Sequence, residues 1–234
     1  MTKLRIIGDI HGDYEWYKKT IREANDLGIY TFQIGDFGIG FPRKLDEDAY
    51  WVDDPDNLAR MNRFGFGNHD NPLYANNCPG SVGYVHVFRE FNGMWIGGAD
   101  SHDKEWRTPG VNWWDREQLP YSECQYALET YNGHKPEFMF SHDGPISATF
   151  RMFPEIFGMH RDAVIGNRTN QLLDQCFESH KPKYWFFGHF HRTNQLEIDG
   201  TKFICVGERE YIDLDIDTFD EWGYDVLTST SNSK

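Results

Sequence analysis

The sequence predicts an α/β sandwich, in which mixed strands form the interior and helices cover the outer faces. Several short apolar runs each end in a polar turn that contains glycine, the pattern of buried strands feeding loops at one edge of a sheet. Apolar residues at helical spacing fill intervals between them, and an Asn-Gly pair inside an alternating stretch marks a hairpin. Open sheets of this kind bind ligands beyond the carboxyl ends of their strands.

In chain order, the first run is Leu4 to Ile7, stopped at Gly8. From Asp13 to Leu27 the residues Trp16, Tyr17, Ile21, Ala24 and Leu27 recur at helical spacing, and Tyr30 to Ile34 then completes a strand, helix, strand unit. Phe64 to Phe66 is the next strand, and Val85 to Gly98 reads as a hairpin turning at Phe91-Asn92-Gly93. Helices are expected over Gln118 to Tyr131 and Ala163 to Ser179. The remaining strands are Glu137 to Phe140, Lys183 to Phe187 and Lys202 to Val206.

The chain has 234 residues, enough for one domain with a well-buried core and short for two. One domain is expected over residues 1–227, followed by a small polar tail over 228–234 that should fray. No run of eighteen apolar residues is present, so no membrane span is expected. The first apolar run is too short for a signal-peptide core, so a cytoplasmic protein is expected. Cys78, Cys124, Cys176 and Cys205 show neither Cys-x-x-Cys nor zinc-type spacing and read as reduced thiols. The net charge of -14 is spread along the chain and disfavours an extended nucleic-acid interface built on counterion release. A small phosphorylated substrate remains compatible, because bound divalent cations invert the local field.

Five polar clusters follow apolar runs: Gly8-Asp9-Ile10-His11-Gly12, Gly35-Asp36, Gly67-Asn68-His69-Asp70, Ser141-His142-Asp143 and Gly188-His189-Phe190-His191. In extended backbone, Asp9-x-His11 and His189-x-His191 would each put both side chains on one face, where two ligands converge on an ion. Oxygen and imidazole donors without thiolate suit Mn, Fe, Zn or Ni better than copper(I) or an iron-sulfur cluster. One such pair is weak evidence, being most often a satisfied surface or core pair; five at strand ends are hard to obtain from structural needs alone. His86, His102, His134, His160 and His180 lie outside the clusters and read as structural or exposed.

This order of motifs, from Asp9 to His191, resembles the calcineurin-like metallophosphoesterase superfamily. The resemblance implies a four-layer α/β/β/α sandwich with metal ligands on loops at one edge. It implies two divalent ions, Mn favoured in vitro: Asp9, His11 and His191 hold one, Asn68, His142 and His189 the other, and Asp36 bridges them. It further implies that a bridging water loses a proton and attacks phosphorus in line. His69 would act without binding metal, contacting the phosphoryl oxygens with Asn68 or protonating the leaving alkoxide. Asp70 either orients His69 or caps the following turn.

The protein-phosphatase branch carries Gly-Asp-x-x-Asp-Arg-Gly and Gly-Asn-His-Glu, whereas this chain has Gly35-Asp36-Phe37-Gly38-Ile39-Gly40 and ends its third motif in Asp70. That branch is therefore disfavoured. The stretch Gly97 to Arg107, with Trp113-Trp114, resembles an insert of small bacterial and phage-type members. Arg107 reads as a phosphate clamp or, equally, as a surface ion pair. Trp106, Trp113 and Trp114 read as a nucleobase-stacking wall or, preferentially, as a lid of the core. Phe37, Phe41 and Phe190 should dry and shape the site. The favoured function is a phosphodiesterase acting on a small or nucleotide-like substrate. A broad-specificity phosphomonoesterase or protein phosphatase, and a catalytically silent metal-binding module, are the alternatives; oligomeric partners are not legible.

Overall fold

The computed structural model describes residues 3–41, 61–75, 78, 80–159 and 167–216. The expected tail over 228–234 and His160 lie outside the described residues. Strand β1 (Lys3–Ile7) leads through α1 (Tyr14–Asp26) to β2 (Tyr30–Gln33), and β3 (Asn62–Phe64) follows. These three are parallel and pair in the order β1, β2, β3. The last strand, β10 (Tyr211–Asp215), closes the sheet antiparallel to β1.

The second sheet has six strands in the order β4 (Val85–Phe88), β5 (Gly93–Ile96), β6 (Phe138–Ser141), β7 (Tyr184–Phe187), β9 (Thr201–Cys205) and β8 (Asn194–Ile198). Its interior strands β5, β6, β7 and β9 are parallel, and both edge strands are antiparallel. The described helices are α1, the short α2 (Pro72–Ala75), α3 (Tyr121–His134), α4 (Ile146–Met152), α5 (Pro154–Met159) and α6 (Arg168–Ser179).

The period of two along each strand divides the apolar residues between the inter-sheet core and the helix-facing layers. In β7, Tyr184 and Phe186 face the other sheet, while Trp185 and Phe187 join the cluster that holds Leu172, Leu173 and Phe177 of α6. Phe32 of β2 reaches across to Phe88, Trp95 and Phe140, with ring centroids 5.0, 5.2 and 5.5 Å away at edge-on angles. On the opposite flank Tyr17, Ile21 and Ala24 bury one face of α1, the spacing that a single helical stripe produces. Asp13 caps that helix by accepting from the Trp16 amide. The result is the four-layer α/β/β/α sandwich.

Boundaries shift where sequence spacing was the only guide. The third strand ends at Phe64 rather than starting there, and the Gly65 amide makes the last bond to β2 by donating to the Gln33 carbonyl at 2.9 Å. The described helix over Arg168–Ser179 is capped by Asn167, which accepts from the Thr169 amide, and the expected start over 163–166 lies outside the described residues. The regular in-out patterns of β8 and β10 mark two further strands of the described structure. The four cysteines are free thiols. Among the described residues no helix is long and apolar enough to cross a membrane.

Candidate active site

The carboxyl ends of β1, β2, β3, β6 and β7 deliver the five clusters to one edge of the sandwich. Asp9 and Asp36 are fully buried there, and His142 is buried beside them. Asp9, His11, Asp36 and His191 form one group of possible metal donors, and Asp36, His142 and His189 form another; within each, the donor atoms lie within 4.8 Å of one another. Asp36 is the member they share. Its Oδ1 stands 3.2 Å from His142 Nε2, and its Oδ2 stands 3.8 Å from His11 Nε2. The Asn68 amide oxygen also approaches His142 Nε2, at 3.2 Å. Nε2 of His191 is 2.9 Å from that of His11 and 3.2 Å from Asp9 Oδ2.

The donors do not meet through extended backbone, as the x-spaced pairs suggested. His11, Asp36, His189 and His191 all have positive φ, four of the eight non-glycine residues with that conformation among those described. Each costs about 1 kcal/mol relative to ordinary backbone, and such strain persists where the surroundings over-determine it. The kinks turn the side chains back over the strand ends. Close approach completes the site: a Cβ on Gly67 would lie 2.1 Å from Asp36 Oδ1, and one on Gly188 would lie 2.3 Å from Asp9 Oδ1. Only a glycine fits at either place.

Two buried carboxylates concentrate negative charge at this edge, and the imidazoles respond. Burial disfavours charge on His142, but the Asp36 carboxylate outweighs it and pushes the ring up to about 10. Burial likewise opposes ionisation of Asp36, yet His142, His69 and His11 hold its carboxyl well below the usual range. Desolvation and neighbouring His142 push His189 well down, so this ring is a neutral donor. The site thus demands positive charge beside Asp36 and offers neutral imidazole on the other side, which is what a divalent cation meets. Backbone contacts orient these side chains: His142 Nδ1 faces the Ile34 carbonyl at 2.9 Å, and the His69 amide donates to Asp36 Oδ1 at 2.8 Å.

His69 stands at the mouth, its ring 4.8 Å from that of His11 and stacked at 5.0 Å on Phe41. Burial, with Arg107 and the other histidines, lowers its affinity for a proton against the pull of Asp36. Arg107 Nη2 lies 2.8 Å from His69 Nε2. A guanidinium only donates, so in this arrangement Nε2 is an acceptor without a proton. Arg107 also pairs with Asp103 at 2.6 Å, so the expected ion pair is present, with the Arg107 side chain 7% exposed and that of Asp103 58% exposed.

Asp70 does not orient His69. Its Oδ1 accepts from the Gly38 and Ile39 amides at 2.7 and 3.2 Å, and its Oδ2 from Gly67 and Phe37 at 2.8 and 3.2 Å. The carboxylate ties the loop after β2 to the loop after β3, and His69 is instead held by Phe41 and Arg107. The three tryptophans also separate: Trp114 is buried, but Trp106 is 88% exposed at the end of a 3-10 turn over Lys104–Trp106, so it is no lid of the core. Phe37 packs on Phe64 and Phe190 on Phe153, with centroids 4.4 and 4.5 Å apart.

A cavity of about 370 Å³ opens over the donors and is lined by Asp36, Asn68, His69, Arg107, His189 and His191. His102, which its sequence context left as structural or exposed, also lines it, 5.8 Å from the His189 ring. Its signal was positional, since Gly97-Gly98-Ala99-Asp100-Ser101-His102 follows β5 as the other clusters follow their strands. Ser101 and Glu117 were missed altogether: both are buried, and Ser101 accepts from Asn68 Nδ2 at 3.0 Å while its hydroxyl donates to Glu117 Oε2 at 2.6 Å.

No family model matches the chain, and no curated protein matches it. Solved structures do. TT1561 of Thermus thermophilus aligns with a TM-score of 0.58 at 15% identity, covering 93% of this chain and 95% of that one. Phosphopantetheinyl hydrolase from Mycobacterium tuberculosis aligns with a TM-score of 0.44 at 16% identity over 99% of this chain and 96% of that one. An archaeal phosphodiesterase aligns at 0.42 and 13%, over 97% of this chain and all of that one. The likeness to TT1561 is one of fold. The chain therefore has the α/β sandwich fold of that structure, with the five polar clusters gathered along one edge.

Proposed function

We propose that the protein hydrolyses phosphate esters with two divalent metal ions, acting as a phosphodiesterase on a small or nucleotide-like substrate. The observation that carries this reading is the meeting of two donor groups at the shared carboxylate of Asp36. Asp9, His11 and His191 would hold one ion, and Asn68, His142 and His189 the other. The donor set fits: carboxylate, amide and imidazole without thiolate, with two buried carboxylates that require cations. Bound there, the ions would supply Lewis acidity toward the phosphoryl oxygens and a nucleophile drawn from water at neutral pH.

The remaining groups act on the substrate. Arg107 presents its fork to the mouth, where an entering phosphate anion competes with Asp103 and His69 for it. Once Arg107 turns to the phosphate, His69 Nε2 is free to take up a proton from water and to pass it to the ester oxygen as that oxygen leaves as the alkoxide. A cavity of about 370 Å³ suits a small substrate better than a polymer or a folded phosphoprotein.

The test is a panel with Mn²⁺: bis-p-nitrophenyl phosphate, p-nitrophenyl phosphate, cyclic nucleotides and a phosphopeptide. The diester or a cyclic nucleotide should give the highest kcat/KM. Preference for the phosphopeptide would overturn the diesterase assignment, and two bound Mn²⁺ without turnover of any substrate would make the protein a silent metal-binding module. His69→Ala should keep both ions and lose turnover of alkyl diesters.

A further inference from the structure

We propose that Glu117, acting through Ser101, is a positioning residue that fixes which end of the Asn68 amide faces the metal pocket. This rests on the reading of Asn68 as a metal ligand. Only the oxygen of an amide ligates a cation, and a half-turn about its last bond exchanges oxygen for NH₂ with no change in shape. Something must therefore choose between the two orientations.

The choice is made by a buried relay. Asn68 Nδ2 donates to Ser101 Oγ at 3.0 Å, and the Ser101 hydroxyl donates to Glu117 Oε2 at 2.6 Å. The Ser101 amide donates to the other oxygen, Oε1, at 2.8 Å. Asn68, Ser101 and Glu117 are all buried, so water does not scramble these bonds. Ionised, as it is above about pH 7, the Glu117 carboxylate only accepts. The single Ser101 proton is thereby committed to Glu117, its lone pairs face Asn68, and only NH₂ can sit against them. Asn68 Oδ1 is left pointing at His142 Nε2, 3.2 Å away, among the proposed ligands. The flipped amide would set oxygen against lone pairs and NH₂ against a cation.

Glu117 is itself held in place. It ends a short 3-10 turn over Asp115–Glu117, and its carbonyl accepts from the Ala99 amide at 3.1 Å. A Cβ on Gly98 would lie 2.6 Å from that carbonyl, so the loop after β5 and the turn carrying Glu117 are closely fitted.

Glu117→Gln separates this role from a structural tie. The glutamine NH₂ can donate to Ser101 Oγ, which then donates to Asn68, so both side-chain hydrogen bonds of the relay survive with their polarity reversed while the Ser101 amide still donates to Oε1. The test is calorimetric titration of the full chain with Mn²⁺ at pH 8, together with the melting temperature of the metal-free protein. Wild type should bind two equivalents. Glu117→Gln should weaken one of the two sites about 10- to 100-fold, leave the other unchanged, and melt no lower than wild type. Glu117→Asp, which keeps the polarity, should recover most of the lost affinity. Two wild-type affinities in Glu117→Gln would overturn the proposal, as would equal weakening of both sites with a lower melting temperature. A wild-type protein that binds no Mn²⁺ would overturn the metal reading itself.

Discussion

Gly67→Ala isolates the contribution of close approach to the site. Gly67 lies outside the left-handed region, so alanine meets no backbone penalty there. At a position with free space the change would stabilise by about 0.4–1 kcal/mol, through the unfolded chain. Here the new Cβ would lie 2.1 Å from Asp36 Oδ1, 2.4 Å from the Asp36 amide nitrogen and 2.6 Å from His142 Nε2. Ordinary contact begins near 3.4 Å, so Asp36 and His142 must retreat by roughly 1 Å. Such overpacking costs about 1–3 kcal/mol, or roughly 2–12 °C in melting temperature for a chain of this size. A displacement of about 1 Å in a positioned reacting group costs on the order of 100-fold in rate. The assay is hydrolysis of bis-p-nitrophenyl phosphate with Mn²⁺, alongside Mn²⁺ titration and thermal melting. Wild-type kcat/KM and a raised melting temperature would show that Gly67 is not needed for approach and refute the reasoning.

Two further outcomes are expected. Asp70→Asn keeps the shape but turns an NH₂ toward two of the amides now accepted by the carboxylate, leaving buried donors unpaired at about 1–3 kcal/mol each; melting at pH 8 should fall by at least about 5 °C, and an unchanged value would remove Asp70 as the loop tie. Burial raises the Glu117 carboxyl from its ordinary 4.5 to about 7, so the folded chain holds that proton more tightly than the unfolded one. Stability of the metal-free protein should therefore fall as pH rises from about 4.5 to about 7, by up to about 3 kcal/mol from this group. Glu117→Gln should flatten the decline by that amount in denaturant titrations across the window, and parallel curves for both proteins would contradict it.

The sequence by itself determined the α/β sandwich and the five polar clusters, because both are written locally, and the choice of seven ligands within the clusters came from the family resemblance. Apolar runs of period two and of helical spacing specify strands and helices, and the polar residues of interest sit directly after them, as at Ile7 before Asp9 and Phe187 before His189. Only the tertiary structure decided how those residues are used. That His11, Asp36, His189 and His191 meet through left-handed kinks is set by packing against neighbouring loops, which no spacing reveals. Asp70 ties two loops and Arg107 stands beside His69 through hydrogen bonds that span 31 to 38 residues of chain. Glu117 carried no local sign and Ser101 only its place after β5, since a serine after a strand and a glutamate in a turn are ordinary residues until the fold buries them behind Asn68. Periodicity encodes which way a side chain faces its own element; which partner it finds across the molecule is fixed only when the sheets, turns and loops close together.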